Sequence, residues 1–437
     1  MHCIAAASDV HRTARVDVHR TCPERSGEGS RLQLLTRGVA LPRSDVGRTD
    51  GMLTTLKTAA LPHSRRDFLS LAIQGSAVAA AVTLPGVSAA AQTKGQTGMQ
   101  TTPSKHYKPP VRFGLGGVPL GNEFAVITEK DAYATLEAAW SAGVRYYDTS
   151  PWYGLGLCER RFGNFLHTRD RSDYVLSSKV GKLLKASRQN NAKEYFPFTP
   201  SPNNMVFDYT ADGVKRSIED SLQRLGLDAL DIVFVHDLSP DNPYLGSSWE
   251  EQFEIARKGG GAFSALTRMR EEGIIKGWGL GVNRPEPIMK LLDVADPDVC
   301  LLASQYSLID HENALHHVFP AARAKGVSFV VGSSLNAGFI SGSQRYNYGK
   351  ENYRIPQPII EKREKLRGVA GRHGVDLRTA ALQFSATPDI ASALVVGAAS
   401  EQQIVADYSS MQVNIPAEFW GELKERKLIE QDAPVPA

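Results

Sequence analysis

A (β/α)8 TIM barrel, of the α/β class, is the fold this sequence predicts, and three observations predict it. Eight short apolar runs alternate with eight amphipathic helical segments, the order that builds a parallel sheet, and eight repeats suit a closed barrel better than an open sheet. Runs such as Ile232-Val233-Phe234-Val235 and Phe329-Val330-Val331 are apolar at every position, as strands covered on both faces are. Gly143, Gly226, Gly273 and Gly326 each stand just past a helical segment, where a left-handed residue ends a helix.

In chain order the apolar runs place strands at 111–118, 144–149, 174–180, 231–237, 277–282, 300–306, 328–333 and 393–397. Between them the helical spacing predicts helices at 129–142, 158–167, 212–225, 261–272, 285–294, 312–325, 358–373 and 401–408. A last helix is expected over 416–428, with Phe419 and Trp420 on its apolar side, and 429–437 as a tail. Two stretches exceed ordinary barrel connections: 182–207, with Tyr195, Phe196 and Phe198, and 238–260. Both leave the C-terminal ends of strands, where barrels assemble their sites, so they are expected to cover a substrate.

The front of the chain is of another kind. Residues 1–51 mix Arg, Ser, Gly and Thr without periodicity and read as a disordered extension or an upstream start-site artefact. Residues 52–91 resemble a twin-arginine signal: Arg65-Arg66 is followed by Phe68-Leu69, a weakly apolar Ala/Val/Leu stretch and Ser88-Ala89-Ala90-Ala91 before Gln92. Gln74, Gly75, Ser76, Thr83 and Pro85 interrupt the apolar run, so export through the twin-arginine machinery to the periplasm is expected rather than a stable membrane span. Residues 92–110 are polar, with Lys, Thr and Pro, and read as a linker to a barrel over 111–428.

The formal charge of +3 belongs to this front. Residues 1–51 hold eight Arg against six acids and 52–91 three bases against one, which leaves −1 from Gln92 onward. That balance offers no footprint for nucleic acid or an acidic membrane. Of four cysteines only Cys158 and Cys300 lie in the barrel. Two so far apart build neither a metal site nor a disulfide framework, and they read as small buried hydrophobes.

Chemistry converges on three neighbouring strand ends. Asp148 and Tyr153 follow the second strand, Lys179 closes the third, and His236 closes the fourth. A phenol is a poor acid or base at neutral pH, but a buried ammonium beside it favours the phenolate. Lys179 can supply that charge, Asp148 can hold it there, and His236 can hydrogen-bond a reacting oxygen from the side. Each residue has a structural alternative, as ion pair, core histidine or packed aromatic; the coincidence of four on adjacent strand ends favours catalysis.

With Asp148-Thr149-Ser150-Pro151-Trp152-Tyr153-Gly154, Ser178-Lys179, Ser221-Leu222-Gln223-Arg224-Leu225-Gly226-Leu227-Asp228 and Val235-His236, the chain resembles the aldo-keto reductase superfamily over 111–408. The resemblance implies a catalytic tetrad of Asp148, Tyr153, Lys179 and His236 and hydride transfer between a nicotinamide and an alcohol, hemiacetal or carbonyl carbon. It implies a cofactor across the barrel mouth, in keeping with the lack of a Rossmann glycine motif, and held by Gly117, Asn283, Gln305, Ser333, Leu335, Gly338, Gly397 and Gln403. Arg284 stands where the family places Asn, and Gly332 where it places an aromatic that stacks on the nicotinamide. Gly397 and Gln403 occupy positions where NADP-preferring members carry Lys and Arg, so of NAD and NADP the former is favoured.

Lys179-Val180-Gly181-Lys182-Leu183-Leu184, the insertion ending Phe207-Asp208-Tyr209, and Leu280-Gly281-Val282-Asn283 are similar to a bacterial branch of D-threo-aldose (L-fucose) 1-dehydrogenases and pyridoxal 4-dehydrogenases. The substrate class this implies is a small aldose, aldehyde or alcohol. An NADPH-dependent carbonyl reductase uses the same tetrad in the other direction, and a nucleotide-binding auxiliary or sensor protein uses the same scaffold. An exported form is expected to carry its nucleotide as a retained prosthetic group.

Overall fold

The computed structural model of the protein describes residues 106–189, 191–347 and 354–436. The expected extension, export signal and residues 92–105 of the expected linker lie outside the described residues. Eight strands close into one parallel barrel: β1 Phe113–Gly116, β2 Tyr146–Asp148, β3 Val175–Val180, β6 Ile232–His236, β7 Gly277–Val282, β8 Val299–Ala303, β9 Ser328–Gly332 and β10 Ala391–Gly397, with β10 pairing back onto β1. The (β/α)8 reading holds.

The period of two along each strand sorts side chains between the barrel interior and the helical jacket. Tyr146, Val175, Ile232, Phe234, Val299, Leu301, Ala303, Val330, Ala393 and Val395 form one inner cluster. Their neighbours Tyr147, Leu176, Val233, Val235, Cys300, Leu302, Phe329, Val331 and Leu394 join the larger core beneath the helices. Each buried side chain of this size contributes roughly 1.5–3 kcal/mol by leaving water. Continuing the inward parity one step brings Asp148, Ser177, Lys179 and His236 to the C-terminal rim, directly above Tyr146, Val175 and Phe234. Gly281 makes room there, because a Cβ on it would meet Phe234 Cβ at 3.2 Å and Lys179 Cε at 3.6 Å.

Most helix ends follow the expected chemistry. Thr128, Thr210 and Ser400 cap Glu129–Ala142, Ala211–Leu225 and Glu401–Ser410 by accepting from Asp131, Gly213 and Gln403 N–H. Gly143, Gly226, Gly273 and Gly326 all have positive φ.

Four elements differ from expectation. The insertion 182–207 is an antiparallel hairpin, β4 Lys182–Ala186 with β5 Asn203–Phe207, joined directly to β3 through Gly181. The second insertion contains a helix, Trp249–Arg257. A further helix, Leu377–Ala386, precedes β10; eight of its ten residues are buried, so it shows no one-sided stripe to detect. The helix expected over 312–325 opens with a π-turn, Ala314–Val318, before Phe319–Ala324. Pro320 lacks the N–H that a regular turn would use there.

The ends of the barrel segment are also packed. His106 is buried and bonds Asp296 (2.7 Å), and Tyr107 N–H donates to Asp298 (3.1 Å). Past the last helix, Ala417–Glu425, Ile429 and Ala433 are buried and Glu430 N–H donates to His311 Nε2. Cys158 and Cys300 are buried free thiols, pushed up to about 12 by burial. No helix among the described residues is long and apolar enough to cross a membrane.

Candidate active site

Lys179 and Asp148 meet at the rim with almost no solvent: the side chains are 1% and 3% exposed, and Lys179 Nζ lies 2.9 and 2.7 Å from the two carboxylate oxygens. Ser177 Oγ adds a bond to Asp148 Oδ1 (2.7 Å), and Lys179 also donates to Thr149 O (2.9 Å). Every strong group of the pair therefore has a partner, which a buried charge requires. The Lys179 ammonium lies 4.6 Å from the centre of the Tyr153 ring, and that ring meets His236 edge-on at 5.7 Å. The four expected catalytic residues are brought together.

Tyr153 is swung into place by the turn after it. Gly154, Leu155 and Gly156 all have positive φ (65°, 50° and 93°), and the loop is pressed against the one after β1: a Cβ on Gly154 would meet Gly121 O at 2.2 Å. The helix Leu157–Leu166 is anchored below by Glu159, which accepts from Ser178 (2.9 Å) and from Arg224 (2.5 Å).

His236 is buried and held well below its ordinary pKa, first by desolvation and then by the ammonium groups of Lys182 and Lys179. Its imidazole is accordingly neutral at neutral pH. Nδ1 lies 3.0 Å from Ser150 Oγ, and Nε2 lies 3.5 Å from Asp237 Oδ2. Asp237 in turn pairs with Lys182 at 2.5 Å. Sequence reading singled out neither Ser150 nor the Lys182–Asp237 pair as part of the site; the one available signal was adjacency, Lys182 three residues after Lys179 and Asp237 next to His236.

An aromatic wall stands beside the tetrad. Trp152 packs on Tyr195 (5.3 Å), Phe196 (5.1 Å) and Tyr244 (6.0 Å), Tyr195 and Tyr244 meet at 4.8 Å, and Lys182 Nζ lies 4.2 Å from the Trp152 ring. Tyr195 comes from the first insertion and Tyr244 from the second, so both long loops reach the rim by the expected face.

The residues expected to hold a cofactor fall mostly on the other half of the rim. Asn283 follows β7 and Gln305 follows β8, and Gln305 Nε2 donates to Asn283 O (2.8 Å). Ser333, Leu335 and Gly338 lie on the loop after β9, where Ser333 and Gly338 have positive φ. Gly397 ends β10; Gln403, in the next helix's first turn, accepts from Ala399 N–H (2.8 Å). Gly117 sits between the halves, its N–H donating to Asp148 O, and a Cβ there would strike Cys158 Sγ at 2.4 Å. Arg284 pairs with Glu286.

This half fits a polar ligand by its own chemistry. Ser304 Oγ and Ser334 Oγ, on the loops after β8 and β9, are two of ten buried side-chain nitrogen and oxygen atoms without a hydrogen-bond partner among the described residues, and a polar ligand or water there would complete them. Ser304 and Ser333 also adopt left-handed backbone (φ 63° and 58°), a strain of order 1–3 kcal/mol each that collects at binding sites. A nicotinamide dinucleotide, with its amide, hydroxyl and phosphate groups, suits such a rim.

Fold and rim together define a class: a (β/α)8 barrel whose C-terminal face carries a carboxylate–ammonium–phenol–imidazole group beside loops rich in polar residues. The Aldo/keto reductase family profile matches residues 112–427. Pyridoxal 4-dehydrogenase from Microbacterium luteolum is 35% identical over 351 residues, covering 77% of this chain and 96% of the relative. D-threo-aldose 1-dehydrogenase from a Pseudomonas species is 32% identical over 325 residues, covering 72% and 94%. A holo-form aldo-keto reductase from Bacillus halodurans shares the fold, with a TM-score of 0.55 at 23% identity over 76% of this chain and 98% of that one. The chain belongs to the aldo/keto reductase family and is an oxidoreductase enzyme of that family.

Proposed function

We propose that the protein is a nicotinamide-dependent dehydrogenase acting on the hemiacetal or alcohol carbon of a small aldose or pyridoxal-like substrate, with NAD favoured over NADP. The observation that carries this is the buried Lys179–Asp148 pair beneath Tyr153, with neutral His236 beside it. Lys179 stabilises the phenolate of Tyr153, so Tyr153 can take the proton of a substrate hydroxyl. His236 donates a hydrogen bond to that oxygen and orients it. A nicotinamide, when bound, would supply the hydride acceptor for the substrate carbon; Tyr153 takes the O–H proton, and the carbonyl product from a hemiacetal would be a lactone.

Asn283, Gln305, Ser333, Leu335, Gly338, Gly397 and Gln403 would hold the nucleotide together with Gly117, whose missing side chain lets the loop after β1 pack directly on Cys158 and Phe162. The absence of a cation at Gly397 and Gln403 supports NAD, because a 2′-phosphate there would lack a partner. The wall of Trp152, Tyr195, Phe196 and Tyr244 suits the flat face of a sugar or pyridine ring. Both named relatives support this substrate class.

The test uses the chain from Gln92 onward and the signal-bearing precursor, each titrated with NAD and NADP by tryptophan fluorescence and assayed for reduced nicotinamide with L-fucose and pyridoxal. NAD binding with turnover lost in Tyr153→Phe is the expected result. Folded protein that binds neither nucleotide overturns the reading. We also propose that residues 52–91, after the extension at 1–51, direct twin-arginine export to the periplasm. The supporting feature is Arg65-Arg66 ahead of a weakly apolar stretch and small residues. Fractionation of cells making the precursor and its Arg65→Lys/Arg66→Lys variant checks this, and equal periplasmic amounts of both would sink it.

A further inference from the structure

His236 serves the proposed reaction only with its proton on Nε2. Nδ1 is taken by Ser150, which leaves Nε2 for the reacting oxygen, and an isolated imidazole does not by itself secure that tautomer. Ser150 Oγ accepts from Trp152 N–H at 3.1 Å, so its own hydroxyl hydrogen is available for Nδ1. That arrangement permits the Nε2–H form without enforcing it, because a hydroxyl can also accept.

Around the ring the charged groups are arranged unequally. From β2 and its loop come Asp148 and Tyr153, from β3 Lys179, from β4 Lys182, and from its own strand end Asp237; β7 offers Gly281 opposite, with no ionisable side chain. Asp148 has both oxygens engaged by Lys179 and Ser177. Asp237 is the carboxylate the structure places against an imidazole nitrogen, 3.5 Å from Nε2. That is near enough to favour a proton on Nε2 electrostatically and too long to consume it in a strong hydrogen bond.

Asp237 is held in that position. Its backbone is left-handed (φ 46°), its N–H donates to Gly281 O (2.9 Å), and its carbonyl accepts from Asn242 (2.9 Å). Lys182, 3% exposed, binds its carboxylate at 2.5 Å and stands over the Trp152 ring. The ammonium offsets the carboxylate, so Asp237 does not draw a second proton onto the ring.

We propose that the Lys182–Asp237 ion pair is a positioning device for His236: Asp237 selects the Nε2–H tautomer, and Lys182 fixes that carboxylate in place. The functional value of this rests on the dehydrogenase reading; the tautomer does not.

The test is nitrogen NMR of the full chain made with isotope-labelled histidine, the His236 signals among the 11 histidines being assigned by their loss in His236→Gln. In the wild type Nδ1 is expected to resonate as an unprotonated nitrogen and Nε2 as a protonated one. Asp237→Asn shifts the population toward Nδ1–H, and Asp237→Glu restores part of it. Lys182→Met, which frees that carboxylate, shifts the population the same way but less, and moves the His236 titration midpoint up, since a cation beside the ring is gone. In parallel, kcat in Asp237→Asn falls about tenfold or more with nucleotide Kd unchanged.

An ion pair that merely pins the hairpin would lower the thermal midpoint in these variants and leave the tautomer and the titration as they were. That outcome, or Nδ1–H in the wild type, overturns the proposal. Should the tautomer respond as expected while the wild type turns over no substrate, the dehydrogenase reading fails and the positioning role stands.

Discussion

The two halves of the barrel rim are built on opposite principles. Around β2, β3 and β6, nearly every charged group is buried and already paired: Lys179 with Asp148, Lys182 with Asp237, Glu159 with Arg224. Around β8 and β9, the rim carries left-handed serines and two buried hydroxyls with no partner among the described residues. The first half is complete in itself, so it can move a proton without rearranging. The second is preformed yet unsatisfied, the condition of a surface whose missing hydrogen bonds arrive with a ligand. Preorganisation is therefore divided: electrostatic on one side, conformational on the other.

The largest effect should come from the complete half. Tyr153→Phe removes the proton acceptor and is expected to lower kcat by roughly 10²–10⁴-fold, with nucleotide Kd within about threefold of wild type; steady-state kinetics beside fluorescence titration check this. If catalysis and nucleotide binding fall together, the two halves are not separable.

Next, Lys179→Met leaves Asp148 buried and unpaired, which should cost about 3–5 kcal/mol of stability. Adding Asp148→Leu should recover most of that loss while activity stays absent. Urea unfolding of the three proteins provides the comparison, and a stable Lys179→Met would show that the pair is less desolvated than its burial indicates.

On the incomplete half the signs reverse. Ser304→Ala and Ser334→Ala delete hydroxyls that have no partner among the described residues, so the free protein should be unchanged or about 1 kcal/mol more stable, whereas nucleotide binding should weaken by about three- to tenfold each. Loss of stability without loss of affinity would mean that these hydroxyls serve the fold.

The smallest effect concerns Glu123, on the loop between β1 and the helix Glu129–Ala142. Burial raises its pKa from 4.5 to about 7, against the pull of Arg345 and Lys182. The folded protein thus binds this proton more tightly than the unfolded chain, so the stabilising contribution is present below about pH 4.5 and lost as pH rises through 7. Urea midpoints of wild type and Glu123→Gln, compared across that window, should converge at low pH and separate in favour of the variant at high pH.

Much of this was readable in the chain. Alternating apolar runs and helical segments are local patterns, and they placed all eight barrel strands; β7 was expected at 277–282 and is found there. The four tetrad residues were legible because Asp148, Lys179 and His236 stand at or next to strand ends, Tyr153 lies on the loop after the first of these, and strand ends adjoin in a barrel. The hairpin within 182–207 was not legible, because Asn203–Phe207 alternates weakly and its partner runs straight on from β3 through Gly181. Leu377–Ala386 escaped because burial on nearly all sides erases the one-sided pattern by which a helix is recognised.

What the sequence by itself determined is the barrel and which polar residues crowd one side of its rim, since both rest on spacing: period two in strands, 3.6 in helices, and a titratable residue at or next to each of three neighbouring strand ends. What only the tertiary structure decided is the protonation and satisfaction of those groups. Whether His236 is neutral depends first on its burial and then on two ammonium groups from other strands. Whether Ser304 has a partner depends on what lies across the rim. Desolvation and charge act through space over a few ångströms, and residues 31 or 55 positions apart, such as Asp148 with Lys179 or Lys182 with Asp237, become neighbours only when the barrel closes.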